Sequence, residues 1–235
     1  MKRKDNRPSA PLVGVLALQG DYAAHFAVLE QLGARTRLVR ATHDLASDLE
    51  PLDALVIPGG ESTTMLRLME RDGLGAAIAA FAADRPTFGT CAGVILLARE
   101  VTGPEQTSLG LLDVSVERNA YGRQTESFIG AVEAPALGGT VEGVFIRAPR
   151  FRRVGPQVTI LGRLAGCRKT PPQGSDSDAQ PGSFDTLLGD DPVLVEQGHL
   201  LGATFHPELT ADARVHRYFL ERVAGMSAVG QALAS

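Results

Sequence analysis

The segment TFGTCAGVILLA, residues 87–98, joins a short apolar strand to an apolar run of helical character through a turn that contains a cysteine. In that turn Gly89 and Gly93 flank Cys91 in the order Gly-x-Cys-x-Gly, the cysteine counterpart of the nucleophile elbow Gly-x-Ser-x-Gly. Glycines there remove side chains that would clash with a strained nucleophile, and the following helix start favours a thiolate. The pattern predicts a reactive Cys91, although a core cysteine between incidental glycines also fits it.

Strand-to-helix units recur on both sides of this segment. Strands are predicted over 12–18, 35–39, 54–57 and 87–88, and helices over 22–32, 62–69, 75–83 and 92–99. Such alternation is typical of a parallel sheet covered by helices. Later strands are predicted over 114–116, 128–132 and 143–146, with a hairpin of 193–196 and 200–205 around a turn at 197–199 and a last helix over 211–224. We therefore expect an α/β fold of three layers, with a mostly parallel central sheet flanked by helices and a late antiparallel β part.

The chain is expected to form a single domain over residues 1–235, because it contains no internal repeat and no interdomain linker. Residues 1–11 are expected to be an N-terminal extension ahead of the first strand, and residues 225–235 a frayed tail. Residues 168–191 are polar and rich in glycine and proline, so this segment is predicted to be a mobile surface loop.

Composition narrows the class of function. The 235 residues carry a net charge of −4 and the pI is near 5.7, which gives no electrostatic footprint for nucleic acid. No apolar run approaches the roughly 20 residues of a membrane helix, and the short apolar stretch 12–18 is not followed by a signal-peptide cleavage site. The two cysteines, Cys91 and Cys167, are too few for a disulfide framework. We expect a cytoplasmic protein without nucleic-acid or membrane partners, in which Cys167 is structural.

A histidine and a carboxylate stand together near the end of the chain. His206 and Glu208 follow the last predicted strand with Pro207 between them, and a period of two places both side chains on one side of an extended segment. The carboxylate can then orient the imidazole and stabilise its protonated form. The pair also fits two metal ligands, but no third histidine or cysteine stands at ligand spacing, so no metal is expected. Of the other histidines, solvated positions are predicted for His43, His199 and His216, and a position facing solvent or an interface for His25.

A Gly-Gly turn ends another predicted strand. The stretch LVIPGGEST, residues 55–63, leaves backbone N–H groups exposed between a buried strand and a helix, which suits a phosphate or an oxyanion. No lysine of a phosphate-binding loop follows, and this disfavours the phosphate. A plain strand-to-helix turn also remains compatible with the sequence.

Together, the three motifs resemble those of the triad (class I) glutamine amidotransferases, and among them the glutaminase subunits of pyridoxal 5′-phosphate synthases. The similarity covers nearly the whole chain, from about residue 13 to residue 224. The segments that carry it are LQG (18–20), PGGESTTM (58–65), FGTCAG (88–93), LGLL (109–112), ERN (117–119), GRQ (122–124), GVFIRAP (143–149) and FHPELT (205–210). Gly-x-Cys-x-Gly with His-Pro-Glu marks the superfamily, whereas ERN, GRQ and FIRAP single out this kind of subunit.

The resemblance implies a flavodoxin-like fold and assigns roles to individual residues. Cys91 becomes the nucleophile, His206 the general acid and base, and Glu208 the group that orients the imidazole. The glutamine-binding residues are then Gly60, Glu61, Ser62, Arg118, Ile146 and Arg147. The backbone amides of Gly60 and Ala92 are candidates for the oxyanion hole. We hypothesise that Gln19 couples the docking of a partner to the formation of that hole.

The activity implied by the resemblance is hydrolysis of L-glutamine. The ammonia passes to a (β/α)₈-barrel synthase subunit that makes pyridoxal 5′-phosphate (vitamin B6), and no cofactor is implied. Three alternatives stay open: a triad glutaminase for another synthase, a partner-independent thiol hydrolase of γ-glutamyl bonds, and a noncatalytic subunit on the same scaffold. The last would lack a triad residue, and all three are present. The chain departs from the family in a longer segment at 168–191 and in about ten extra residues before the first strand.

Overall fold

The computed structural model describes residues 10–45, 50–118, 120, 127–165 and 190–233 of the chain. Most of the predicted N-terminal extension and of the segment 168–191, together with Cys167 and the GRQ motif, lies outside these residues. No helix in the described part of the chain is long and apolar enough to cross a membrane.

Within the described ranges the chain folds into twelve strands and six α-helices. The strands are β1 (Leu12–Leu16), β2 (Arg35–Val39), β3 (Ala54–Ile57), β4 (Thr87–Thr90), β5 (Ala98–Thr102), β6 (Leu112–Glu117), β7 (Phe128–Ala134), β8 (Gly139–Phe145), β9 (Arg150–Val154), β10 (Thr159–Leu164), β11 (Pro192–Gln197) and β12 (Leu200–Ala203). The helices are α1 (Tyr22–Gln31), α2 (Thr42–Leu45), α3 (Ser62–Glu70), α4 (Leu74–Asp84), α5 (Ala92–Leu97) and α6 (Arg214–Leu233).

Nine of the strands in the described residues form one sheet, in the order β2-β1-β3-β4-β12-β11-β10-β7-β8. The five strands from β2 to β12 run parallel, and the pairs from β12 to β8 are antiparallel. The strands β5, β6 and β9 form a smaller second sheet. The expected α/β fold class is confirmed, and the late antiparallel part continues the parallel sheet instead of packing beside it.

Helices cover both faces of the large sheet, and the strands supply side chains to both. In β1, Leu12 and Leu16 belong to the apolar cluster shared with α3, α4 and α5, whereas Val13 and Val15 belong to the cluster shared with α1 and α6. Successive residues of a strand point to opposite faces, so the apolar run of β1 feeds both layers. The predicted three-layer arrangement is therefore confirmed.

The helix after Cys91 is shorter than predicted. It ends at Leu97 instead of residue 99, and Ala98–Thr102 forms strand β5. Ala98 has an extended backbone and pairs with Leu112 of β6. The apolar run itself contains no stop signal, so pairing with a strand further along the chain sets the end of the helix.

The strands β9 and β10 and the short helix α2 are not predicted by the sequence. β9 has the sequence RFRRV, and its three arginines do not form the apolar pattern of a buried strand, although its first two residues are buried. The last helix, α6, continues to Leu233, so the predicted helix end at residue 224 is wrong. No proline interrupts residues 225–233, and the alanine, methionine, glutamine and leucine there favour a helix in spite of Gly225 and Gly230.

Candidate active site

Cys91 lies at the end of β4, where the chain turns sharply into α5. Its backbone has φ 47° and ψ −104°, a conformation that is strained for a residue with a side chain. Packing requires glycine on either side. A Cβ on Gly93 would lie 2.0 Å from the carbonyl oxygen of Ile57, and one on Gly89 would lie 2.7 Å from the carbonyl carbon of Gly93. The sharp turn predicted from Gly-x-Cys-x-Gly is confirmed.

His206 follows the neighbouring parallel strand. β12 pairs with β4, and the N–H of Cys91 donates to the carbonyl oxygen of Ala203 over 2.8 Å. The N–H of His206 donates to the carbonyl oxygen of Val144 on β8, also over 2.8 Å, which directs the chain as it leaves β12. Because the carboxyl ends of parallel strands meet at one edge of a sheet, Cys91 and His206 come together there. The Cys91 side chain raises the pKa of His206, so the two side chains are close neighbours.

Glu208 holds the other side of the imidazole. Nδ1 of His206 lies 2.7 Å from Oε1 of Glu208, and both side chains are buried. The period of two predicts an extended segment here, and this prediction is wrong, because Pro207–Leu209 forms a 3₁₀ turn. The fixed φ of proline suits the first position of such a turn. The turn brings the carboxylate back onto the imidazole.

Burial and hydrogen bonding have opposite effects on these two groups. Burial lowers the pKa of His206, but the neighbouring Cys91 and the hydrogen bond with Glu208 outweigh it and raise that pKa to about 10. Burial raises the pKa of Glu208, yet His25 and the hydrogen bond with His206 hold it well below the usual range. The site therefore favours an imidazolium between a sulfur and a carboxylate, the charge pattern of an activated cysteine.

A pair of buried histidines lies behind Glu208. Nε2 of His25, on α1, is 3.2 Å from Oε2 of Glu208 and 3.0 Å from Oγ1 of Thr90. Nδ1 of His25 is 2.9 Å from Nε2 of His216 on α6. Both histidines are fully buried. The predictions that His216 is solvated and that His25 faces solvent or an interface are therefore wrong.

Helix periodicity explains the burial of both histidines. His216 shares a face of α6 with the buried residues Phe219 and Val223, at spacings of three and seven. His25 likewise precedes the buried Leu29 by four residues on α1. These spacings are the sequence signal that could have located the pair.

The other two histidines for which solvation is predicted lie elsewhere. The side chain of His43 is 83% exposed, as predicted. His199 stands in the turn between β11 and β12, is only partly exposed, and its Nε2 lies 2.8 Å from the carbonyl oxygen of Ala82 on α4. The prediction that His199 is solvated is therefore wrong, because its ring contacts the end of α4.

Glu61 caps α3 in the Gly-Gly loop. Its carboxylate accepts from the N–H groups of Thr63 and Thr64 over 3.2 and 2.7 Å. Burial alone raises the pKa of Glu61, but hydrogen bonds from Thr64 and Thr63 outweigh it and lower the pKa to about 2. Nη2 of Arg118 lies 3.6 Å from Oε1 of Glu61 and donates to Oγ1 of Thr63 over 3.1 Å. Two residues predicted to bind glutamine are thus neighbours of opposite charge.

Gln106 ties Ser62 to this pair. Its Oε1 accepts from the hydroxyls of Ser62 and Thr63 over 2.9 and 3.2 Å. Gln106 lies in the loop between β5 and β6, 44 residues after Ser62, and no sequence motif marks it. Ser62 is buried whereas the Glu61 side chain is 45% exposed, so the cluster runs from the interior to the surface.

The glycines of the loop contact the imidazole and Gln19. A Cβ on Gly59 would lie 2.3 Å from Cε1 of His206, so the loop packs directly against the ring. Gly60 has φ 151°, and a Cβ there would lie 2.5 Å from Nε2 of Gln19. That nitrogen donates to the carbonyl oxygen of Glu61 over 3.0 Å. Gln19 therefore covers the backbone of Gly60 and Glu61.

Ile146 and Arg147 follow β8 beside Cys91. The Cys91 thiol donates to the carbonyl oxygen of Ile146, with Sγ 3.9 Å from that oxygen. Arg147 has a strained backbone with φ 42°, and the residue is exposed. Of the sequence-predicted site residues, the structure brings one group together around the sulfur: Cys91, Ala92, Ile146, His206 and Glu208. It places a second group in or beside the adjacent loop: Gln19, Gly60, Glu61, Ser62 and Arg118.

Comparison with known proteins assigns the chain to a family. A model of the SNO glutamine amidotransferase family matches residues 15–171. The pyridoxal 5′-phosphate synthase subunit PdxT of Solibacter usitatus is 46% identical over 217 residues, which cover 90% of this chain and 98% of that protein. The subunit PdxT of Thermus thermophilus is 48% identical over 213 residues, which cover 89% of this chain and 96% of that protein.

Solved structures agree with this assignment. A crystal structure of a glutamine amidotransferase is 45% identical, with a TM-score of 0.73, and covers 90% of this chain and 98% of its own. A putative GMP synthase protein from Thermoplasma acidophilum is 15% identical, with a TM-score of 0.64 and coverage of 96% and 100%, which supports the fold alone. The resemblance drawn from the sequence motifs is confirmed, and the chain belongs to the SNO glutamine amidotransferase family.

Proposed function

We propose that this chain hydrolyses L-glutamine and supplies the ammonia to a pyridoxal 5′-phosphate synthase. Its family is one of glutamine amidotransferases, and relatives 46% and 48% identical to it are subunits of that synthase. The observation that carries the proposal is the buried arrangement of Cys91, His206 and Glu208 at the carboxyl edge of the parallel strands, in which Nδ1 of His206 lies 2.7 Å from Oε1 of Glu208 and Cys91 raises the pKa of His206. Such an arrangement suits amide hydrolysis, because it supplies a strong nucleophile and an acid that protonates the leaving nitrogen.

The reaction then runs in two halves. The Cys91 thiolate attacks the side-chain amide carbon of glutamine, and the His206 imidazolium gives its proton to the nitrogen, which leaves as ammonia. The product is a glutamyl thioester on Cys91. In the second half the neutral imidazole takes a proton from water, whose oxygen attacks the thioester carbon. Glutamate leaves, the thiolate is restored, and Glu208 steadies the imidazolium in both halves.

Each half passes through an oxyanion that needs donors. We assign this role to the backbone N–H groups of Gly60 and Ala92. Ala92 is the first residue of α5, and the first N–H groups of a helix have no acceptor within it. Gln19 packs against Gly60 and donates to the carbonyl oxygen of Glu61, the next residue. This contact supports the hypothesis that Gln19 couples partner docking to the orientation of the Gly60 amide.

Free glutamine carries an α-carboxylate and an α-ammonium group, so its pocket needs both signs of charge. Arg118 and Glu61 supply them in the loop that packs against His206. Ser62 adds a buried hydroxyl, and the carbonyl oxygen of Ile146 beside the sulfur can accept a hydrogen bond from the amide nitrogen. Arg147, at the exposed end of the site, completes the proposed set.

The proposed partner is the (β/α)₈-barrel subunit of the synthase. Ammonia that escapes into water is protonated and loses its nucleophilicity, so it must be released beside the enzyme that uses it. The proposal keeps the cytoplasmic location expected from the sequence, because Cys91 must remain a reduced thiol to react. The chemistry requires no cofactor.

The test is glutamate release from L-glutamine by the full chain, with and without the purified synthase subunit. We expect the synthase subunit to stimulate release, Cys91→Ala to abolish it, and Cys167→Ala, a matched cysteine control, to retain it. Gln19→Ala should reduce the stimulation, and an unchanged stimulation would contradict the role of Gln19 alone. Release by Cys91→Ala at the wild-type rate, or none from wild type with its partner, would overturn the proposal. Hydrolysis of larger γ-glutamyl compounds without any partner effect would favour the thiol hydrolase instead.

A further inference from the structure

The mechanism uses Glu208 through Oε1 and leaves the surroundings of Oε2 unexplained. The side chain of Glu208 is fully buried, and Oε2 faces His25 of α1. Nε2 of His25 is 3.2 Å from this oxygen, off the line of a hydrogen bond, and the same nitrogen bonds with Oγ1 of Thr90 at 3.0 Å. Nδ1 of His25 meets His216 of α6. A buried polar cluster thus extends the catalytic row away from the substrate.

Acceptor chemistry determines how this cluster is protonated. A carboxylate oxygen only accepts, so Nε2 of His25 must carry a hydrogen where it faces Glu208. Burial lowers the pKa of His216 to about 3, so that ring is neutral. In the described residues Nδ1 of His216 has no hydrogen-bond partner, so its hydrogen belongs on Nε2. His216 therefore donates to Nδ1 of His25 and holds His25 in the tautomer whose hydrogen is on Nε2, the nitrogen that lies 3.0 Å from Oγ1 of Thr90 and 3.2 Å from Oε2 of Glu208.

A buried carboxylate needs favourable contacts at both oxygens. The desolvation of its charge is offset only where donors or positive charges face it. His206 serves Oε1 at 2.7 Å, and His25 stands against Oε2. Without His25, the carboxylate would rotate toward another donor or take up a proton. Either change weakens its hold on the His206 imidazole.

We propose that His25 is a positioning residue for glutamine hydrolysis. With its tautomer set by His216, it holds Oε2 of Glu208 so that Oε1 stays on Nδ1 of His206. The inference rests on the proposed function. His25 acts through Glu208 and not on the substrate, so its loss affects the chemical step more than glutamine binding.

The groups that could respond to pH form a continuous row. Within the described residues, the titratable side chains in contact along it are Cys91, His206, Glu208, His25 and His216. β4 adds to the surroundings of His25 only the uncharged side chains of Thr90 and Phe88. A change in the titration of His206 after substitution of His25 would therefore travel through Glu208.

The test compares variants at residue 25 in the full chain, alone and with the synthase subunit. His25→Leu removes both ring nitrogens, His25→Gln keeps an N–H near the place of Nε2, and His25→Asn keeps one near Nδ1. His43→Leu, at an exposed histidine, is the matched control. The readouts are kcat and KM for glutamine and the NMR titration of the His206 ring.

We expect His25→Leu and His25→Asn to lower kcat about 10–100-fold while KM changes less than about threefold. The midpoint of the His206 titration should move down from about 10, by about one pH unit, because a loosened carboxylate stabilises the imidazolium less. His25→Gln should return kcat to within about fivefold of wild type, since it restores the N–H that faces Oε2. His216→Leu should have a smaller effect than His25→Leu, because it removes the donor that fixes the tautomer of His25 but leaves the His25 ring in place.

An unchanged His206 titration in His25→Leu would overturn the inference, and so would equal activity of the Gln and Asn variants. A general loss of packing would affect both amides alike, so a difference between them reports the position of the N–H group. Failure of wild type to release glutamate with its partner would instead overturn the proposed function. The NMR titration needs no turnover and would still decide the role of His25.

Discussion

Glu208 and Glu61 stand in two regions around the His206 imidazole, and the protein keeps both ionised by different means. Against the effect of burial, His25 and His206 hold the pKa of the fully buried Glu208 well below its usual range. Glu61 is 45% exposed; burial opposes its ionisation too, but hydrogen bonds from Thr64 and Thr63 lower its pKa to about 2. One carboxylate depends on imidazoles in the interior, and the other on the start of a helix at the surface.

The difference shows where the site is sensitive to substitution. The partners of Glu208 come from α1 and from the end of β12, so the dry interior offers no replacement if one is lost. The partners of Glu61 are Thr63 and Thr64, which follow it in the chain by two and three residues, and water can reach its carboxylate. We therefore expect defects at Glu208 to stop the chemistry and defects at Glu61 to cost little stability, their effect on activity falling on glutamine binding.

Glu208→Gln breaks the buried side of this comparison and should have the largest effect. The amide presents an N–H group where His206 and His25 already present theirs, so the imidazole loses its anchor. We expect kcat of partner-stimulated glutamate release to fall about 10³–10⁴-fold, as when other triads lose their orienting carboxylate. Glu133→Gln, at an exposed glutamate on β7, should keep the wild-type rate. A loss of less than about tenfold would show that Glu208 does not orient His206.

Gly59→Ala tests the point where the two regions meet and should have an intermediate effect. The new Cβ would lie 2.3 Å from Cε1 of His206, so the ring must move. We expect kcat to fall about 10–100-fold and the free energy of unfolding in urea to fall by about 1–3 kcal/mol. In the control, Gly75→Ala on α4, the nearest contact is an ordinary 3.7 Å to Met69, so both quantities should be kept. A wild-type kcat in Gly59→Ala would mean that the loop can shift without displacing the imidazole.

Glu61→Gln tests the exposed side of the comparison and should have the smallest effect on the fold, apart from the weaker glutamine binding that its proposed place in the pocket implies. The pKa of Glu61 lies near 2, below the ordinary 4.5, so its charge contributes stability above pH 4.5 that is lost as pH falls toward 2. Solvent screening limits the loss at pH 7 to under about 1 kcal/mol. Urea unfolding at pH 7 and pH 3 measures it, and the gap between wild type and variant should narrow at the lower pH. A gap that widens on acidification would contradict the capping role.

Sequence patterns located the parallel half of the sheet better than the rest. The strands β2 and β3 have the predicted bounds, and β3 shows why, because its apolar run between turn residues marks a buried parallel strand. β9 was missed because its arginines resemble a loop. In the site, the motifs at Cys91, at the Gly-Gly loop and at His206 were located from short segments. His25, His216 and Gln106 were not, because each acts through hydrogen-bond partners at least 43 residues away.

The sequence by itself determined which groups are available for chemistry and where the chain can turn. Small residues around Cys91 permit a strained turn, and the alternation of strands and helices builds the edge at which a sulfur, an imidazole and a carboxylate can meet. Only the tertiary structure decided which nitrogen faces which oxygen and which carboxylate is dry. The physical reason is that burial and hydrogen-bond direction depend on the packing of α1 and α6 against the sheet, and no short segment of the chain contains that information.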